Sequence, residues 1–346
     1  MKSTPHNLVM SALFGGRRGE RPPAGNPTSI VCHDLMDAAG VGFPEAHQDA
    51  EAMAALALAG HTEAGFDTVM PEFSVQQEAE ALGCTVDWGH RDMMPDVKAF
   101  PHEDFSAVAV PGDLLEHPSM RVVLDALSLL RGQVGDRVAV MGKVMGPWTL
   151  SYHLAGVQNF LMQVGRGLVD PGAKDVVHRM LDQVMTVTIQ FARAQPRSGA
   201  DAVVVADHAS GSLVSPQVYA EYLLPRHKIL TSEIGGPLIL HVCGNCKDRL
   251  DMFADAGFDA YHFEWQLGAE ETVARVGNRI SLVGNIDNAN VLLPGTPEAV
   301  YAQARHAIAA GVDIIGPECA IPLKTPLENL QAISAAVRAG YLPDGN

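Results

Sequence analysis

Short apolar runs rich in Val and Ile recur along the whole chain, and amphipathic stretches separate most of them, a pattern that few architectures satisfy. The runs fall at 28–32, 67–70, 137–143, 201–206, 237–242, 259–263, 280–284 and 312–315. A run that is apolar throughout is what a strand covered on both faces requires. Helical periodicity marks 49–64, 175–194, 216–234, 246–256, 268–276 and 297–310, and a last helix at 326–338 closes the chain. Regular alternation of this kind builds parallel strands under covering helices. Eight such strands predict an α/β fold, a closed (β/α)8 TIM barrel, with an open doubly wound sheet as the competing topology.

One barrel accounts for residues 1–346 as a single domain, since 47% hydrophobic content supplies a large core. The stretch 71–133, after the second predicted strand, is longer than an ordinary connection. It predicts an insertion walling the active-site mouth, with helices at 76–82 and 120–130 and a strand-like run at 105–110. A formal charge of −16 argues against nucleic acid and anionic membrane surfaces, which need basic patches. No apolar run reaches a membrane span and no signal-peptide pattern opens the chain, so the expectation is a cytoplasmic protein. Five cysteines without regular spacing do not read as a disulfide framework.

Chemistry concentrates at the ends of two of these runs. His241 and Cys243 close the run 237–242, and Cys319 follows the run 312–315. Residues i and i+2 of a strand share a side, so the imidazole and the first thiol can converge on one ion. Strand C-terminal ends gather at one mouth of a barrel, which brings Cys319 to the same place. Two thiolates and an imidazole suit zinc, and three protein ligands leave a position open, as catalytic sites do. The competing reading is a satisfied core histidine with two small buried hydrophobes. Cys246 completes a Cys-x-x-Cys with Cys243 but falls where a helix is predicted, and is read as non-ligating. Cys32 and Cys84 read as core residues.

Several segments carry a wider likeness: Ala57-Leu-Ala-Gly-His-Thr-Glu-Ala-Gly-Phe-Asp67, Glu78-Ala-Glu-Ala-Leu-Gly-Cys-Thr-Val-Asp-Trp-Gly89, Gly146-Pro-Trp-Thr-Leu150, Ala206-Asp-His-Ala-Ser-Gly211, Leu282-Val-Gly-Asn-Ile-Asp287, Leu293-Pro-Gly-Thr-Pro297 and Gly316-Pro-Glu-Cys-Ala-Ile-Pro-Leu-Lys-Thr-Pro-Leu-Glu-Asn-Leu330. With these the chain resembles the uroporphyrinogen decarboxylase superfamily, specifically its methylcobamide:coenzyme M methyltransferase-like branch of corrinoid-dependent enzymes. The resemblance implies a (β/α)8 barrel and a zinc site on His241, Cys243 and Cys319. It also implies a methylcobamide donor carried by a separate corrinoid-binding protein, and an acceptor such as the thiol of coenzyme M or tetrahydrofolate. Three departures lie near the expected mouth: Glu318 and Ala320 around the second cysteine, Cys246, and the run Met70-Pro-Glu-Phe-Ser74. They bear on the acceptor more than on the reaction class.

Within that reading Asp207, beside His208, would orient His241 or shape the thiol pocket, or else simply cap a helix. The helix start around Trp148 would offer amides to an anionic tail, with ordinary packing as the other account of Trp148. Asn285, in the loop 284–287, would complete the wall facing the corrinoid. Glu318 and Glu72 are candidates for the open metal position. The runner-up is a metal-free decarboxylase. It would hold substrate carboxylates with N-terminal arginines, but here that region reads Phe14-Gly-Gly-Arg-Arg-Gly-Glu-Arg21 and lacks the family's arginine pattern.

Overall fold

The computed structural model describes residues 3–15, 21–100 and 108–339. Three short strands, Thr68–Val69 (β1) and the hairpin pair Thr85–Asp87 (β2) and Asp96–Ala99 (β3), precede the main series. That series is Ala139–Met145 (β4), Ala202–Ala206 (β5), Leu238–His241 (β6), Ala260–His262 (β7), Ser281–Ile286 (β8) and Ile314–Pro317 (β9). A seven-stranded parallel sheet runs in the order β1-β4-β5-β6-β7-β8-β9 and curls on itself. All residues of β4, β5, β6, β7, β8 and β9 are buried, which is why their sequences read as unbroken apolar runs.

The expected first strand, 28–32, is not one. Ile30, Val31 and Cys32 are fully buried, but they lead into the helix His33–Ala39. The segment that joins the two edges of the sheet lies earlier. Ala24 bridges Ile315 in parallel, the Gly25 amide donates to the Ile315 carbonyl at 3.0 Å, and the Ala24 carbonyl accepts the Asp67 amide at 2.7 Å. Prolines at 22 and 23 remove donors, so the join is a short bridge that no strand pattern announces. Gly316 makes it feasible, because a Cβ there would stand 1.9 Å from the Gly25 carbonyl oxygen.

Between β1 and β4 the chain forms the helix Gln77–Ala81, the β2–β3 hairpin and the helix Pro118–Val134. The expected strand at 105–110 does not form in its described part, Val108 to Val110, and 105–107 lie outside the described residues. The helix expected to start around Trp148 follows β4 as Pro147–Ala155, and a further one that the periodicity does not announce, Val157–Gly167, comes after it. No helix among the described residues is long and apolar enough to cross a membrane.

Candidate metal centre and its cavity

β6 ends at His241, and Cys243, two residues on, brings its sulfur to the same point as the imidazole. The His241 Nε2 lies 3.0 Å from the Cys243 Sγ and 3.5 Å from the Cys319 Sγ, and the two sulfurs are 3.5 Å apart. Among the described residues this trio is the one group of His, Cys, Asp or Glu whose donor atoms gather closely enough for a metal, all within 4.8 Å of one another. A tetrahedral zinc with bonds of ~2.0–2.3 Å spaces its ligands by ~3.3–3.8 Å. The observed separations are close to that.

Electrostatics agrees with the geometry. The Cys243–Cys319 contact, with burial, pushes the Cys243 thiol well above its ordinary value, and the same contact draws Cys319 below. Two sulfurs this close cannot both ionise unless a cation stands between them. Burial, helped by His262, His208 and Lys143, holds His241 far below the usual imidazole value and therefore neutral, the form that ligates. The His262 ring lies against His241 at 4.6 Å between centroids, anchored by its Nε2–H donating to the Pro317 carbonyl at 2.8 Å. Cys243 and Cys319 are half-buried, whereas Cys32, Cys84 and Cys246 are buried.

Of the two carboxylates expected at the open position, neither reaches the trio. Both Glu318 oxygens are engaged, accepting the amides of Trp265 and Asn288 at 2.9 Å each, so this side chain braces two loops. Glu72 is fully buried, with both oxygens unpartnered, and its carboxyl faces the charges of Lys143 and Glu78. Sequence reasoning missed Glu264. Its charge raises both thiols, and its carboxylate takes a hydrogen bond from the Gly244 amide. No local pattern marks Glu264; only the return of β7 to the mouth brings it there.

The other expected contacts resolve differently. Asp207 is fully buried and does cap a helix: its carboxylate accepts the Thr149 amide at 2.8 Å and hydrogen-bonds the His227 Nε2 at 3.0 Å. Its side chain is thus turned away from the His241 ring, and the contact between the two residues is through the backbone, the Asp207 amide donating to the His241 carbonyl at 2.9 Å. The helix start that was to receive an anionic tail already holds this internal carboxylate, since a Cβ on Gly146 would collide with Asp207 at 2.3 Å. Trp148 is fully buried, edge-on to Phe160 at 4.8 Å. It is a packing residue, not a cofactor contact. Asn285 is 6% exposed and pairs in register with Gly316 of β9, three residues before Cys319.

Beside the trio opens a cavity of about 210 Å³ whose wall includes His241, Cys319, His208, Lys143, Ser29 and Phe73, with Val75, Met94 and Pro95 from the 71–133 stretch. A wider, open concavity of about 750 Å³ borders the neighbouring loops, lined by Gly211, Gly244, Asn245 and Lys247 among others. Lys143, unremarked in the sequence, is 2% exposed on β4. Its Nζ donates to the carbonyls of Thr28 at 3.0 Å and Glu72 at 2.6 Å.

Similarity to known proteins extends over almost the whole chain. The family model for uroporphyrinogen decarboxylase (URO-D) matches residues 4–340. The chain is 33% identical over 345 residues to the methylated-thiol–coenzyme M methyltransferase of Methanosarcina mazei, covering 98% of this chain and 90% of that protein. It is 33% identical over 328 residues to the methylcobamide:CoM methyltransferase MtaA of Methanosarcina barkeri, covering 94% and 95%. A solved methyltransferase from Methanosarcina mazei superposes with a TM-score of 0.93 at 32% identity, covering 99% of this chain and 100% of that one.

Proposed function

The chain belongs to the uroporphyrinogen decarboxylase family, and from that premise we propose that it is a zinc-dependent methyltransferase. In this reading it moves a methyl group from a methylcobamide on a corrinoid-binding partner to a small thiol of the coenzyme M kind. The observation that carries the proposal is the meeting of one neutral imidazole and two thiols at a point beside a small cavity. His241, Cys243 and Cys319 would hold the metal, which would supply a thiolate at neutral pH from an acceptor whose thiol, with a pKa near ~8.5, is otherwise mostly protonated.

The chain's own residues do the rest. A divalent cation held by a neutral His241 and two thiolates would carry two positive charges fewer than one held by three imidazoles, which favours a strongly nucleophilic acceptor sulfur. The apolar wall of Phe73, Val75 and Met94 excludes water around that sulfur. As the S–CH3 bond forms, the CH3–Co bond breaks with its electron pair left on the partner's cobalt, and the thiol proton leaves to solvent on binding. A corrinoid is far larger than the cavity, so it would approach from the open side, past the loops that carry Gly211 and Gly244. Asn285, near the end of β8, would form part of that rim.

The cavity volume of about 210 Å³ favours a thiol over tetrahydrofolate, because drug-sized ligands occupy ~300–1,000 Å³. The decarboxylase alternative finds less support. Arg21, the described arginine of the N-terminal cluster, is committed to a bidentate pair with Asp67 at 2.7 Å, just before β1, at the opposite end from the trio.

The test is methylcobalamin demethylation, followed by visible absorbance, together with metal analysis of the purified protein. Wild type should carry one zinc per chain and consume methylcobalamin only with a thiol. His241→Ala, Cys243→Ser and Cys319→Ser should lose metal and turnover together. Retention of both in any of the three variants refutes the assignment.

A further inference from the structure

The metal centre draws its ligands from strands that are not neighbours. His241 and Cys243 belong to β6 and its exit, Cys319 to the exit of β9, and β7 and β8 lie between them in the sheet. Among the described residues no ladder of backbone hydrogen bonds joins β6 to β9. A zinc site tolerates errors of only ~0.2 Å in its bonds, so whatever spans the mouth between these two strands decides how well three ligands can meet.

One side chain spans it. His262, the last residue of β7, is in register with His241 of β6. Its ring lies against the His241 ring at 4.6 Å between centroids and 34° between planes. On its other side the Nε2–H donates to the Pro317 carbonyl at 2.8 Å, reaching across β8. Pro317 ends β9, two residues before Cys319. Both histidines are buried, so no water competes for these contacts. The next two residues are tied as well: the Glu318 carboxylate accepts the Trp265 and Asn288 amides, and the Cys319 carbonyl accepts the Asn26 Nδ2–H. Of these ties, the one made by His262 is the one that also touches a ligand from β6.

We infer that His262 sets the spacing between the two halves of the metal centre. Its ring fixes the plane of His241, and its Nε2–H holds the end of β9 where the Cys319 sulfur meets the imidazole. His262 is a positioning residue, acting through His241 and Cys319 and not itself a ligand. The inference rests on the metal-centre reading given above and adds to it the element that joins the two strands.

The experiment titrates metal-free protein with Co2+, reads the thiolate-to-cobalt charge-transfer absorbance per bound ion, and measures zinc affinity by competition with a chelator. His262→Phe keeps a ring against His241 and removes the donor to Pro317. His262→Gln removes the ring and keeps an amide N–H at the reach of Nε2. Loss of a partner that orients metal ligands costs ~10- to 100-fold in affinity, and His262→Phe should weaken zinc binding by that factor. Its charge-transfer absorbance should fall to about half, one thiolate remaining in place of two. In the zinc-loaded variant Cys319, identified by peptide mass, should become reactive to an aromatic disulfide reagent while Cys243 stays protected. His262→Gln should restore the full absorbance. Wild-type affinity and absorbance in His262→Phe, or a halved absorbance in His262→Gln, overturns the role of His262 alone, and each variant decides this by itself. A loss of folding stability with the absorbance per ion unchanged is the outcome of a purely structural role and overturns it too. A wild type with no thiolate-to-cobalt absorbance overturns the metal centre and this inference together.

Discussion

His47 offers a prediction whose size follows from its surroundings. The side chain is fully buried, stacked on Phe43 at 4.0 Å and on Trp88 at 5.7 Å between ring centroids, and neither ring nitrogen has a partner. Burial first, then the Lys143 charge, lowers its pKa from 6.5 to about 3. In the unfolded chain the same imidazole titrates near ~6.5. Between these values the unfolded state binds a proton that the folded state refuses, so stability rises with pH and is lost as pH falls below the unfolded value. Each pH unit below ~6.5 costs ~1.4 kcal/mol, which makes the loss from pH 8 to pH 5 about 2 kcal/mol for this residue. His47→Phe removes the titration and keeps the aromatic stack. Guanidinium unfolding of both proteins at pH 8 and pH 5 gives the comparison. The acid-induced loss should be about 2 kcal/mol smaller in the variant. Any packing cost of the larger ring cancels in the difference between pH values. Should the two proteins lose the same stability between pH 8 and pH 5, the buried neutral imidazole is not what the geometry indicates.

Other perturbations have equally definite outcomes. Gly211→Ala places a Cβ 1.9 Å from the Asn245 carbonyl oxygen; pushing the loop after Cys243 aside should weaken zinc affinity by ~10- to 100-fold, read by competition with a chelator. Asp207→Ala strands the Thr149 amide and the His227 ring and should destabilise the protein by about 3–5 kcal/mol in calorimetry, with zinc content retained in the folded fraction. Chelation of native protein should make two thiols, the half-buried Cys243 and Cys319, reactive to an aromatic disulfide reagent, leaving the buried Cys32, Cys84 and Cys246 silent; more than two fast thiols would contradict that partition.

Much of the architecture is readable in the primary structure because buried parallel strands leave unbroken apolar runs. The predicted runs from 67–70 to 312–315 all correspond to strands of the seven-stranded sheet. Failure came where that rule does not apply. Ile30 and Val31 are as apolar as any strand but are buried as a loop, while the closing segment around Pro23 and Ala24 has too little β-branched character to be noticed. The pairing of His241 with Cys243 follows from strand period, and Cys319 joins them because strand ends converge at a barrel mouth. Lys143 and Glu264 escaped because isolated charged residues in a strand or loop have no local signature. Asp207 and Trp148 follow strand ends that point to the mouth, but their side chains serve the packing of the helix Pro147–Ala155.

The bridge between the two sheet edges also bears on when the protein becomes competent during its own synthesis. Asn26 donates through Nδ2 to the Cys319 carbonyl at 2.9 Å, a link spanning 293 positions. Asn26 must therefore wait for this partner until a residue 293 positions later has emerged from the ribosome. Contacts of such long range are slow to form, and the second sulfur of the trio arrives only with them. A half-made chain thus has His241 and Cys243 but no finished grip, which defers capture of a cation until the ring of strands has shut.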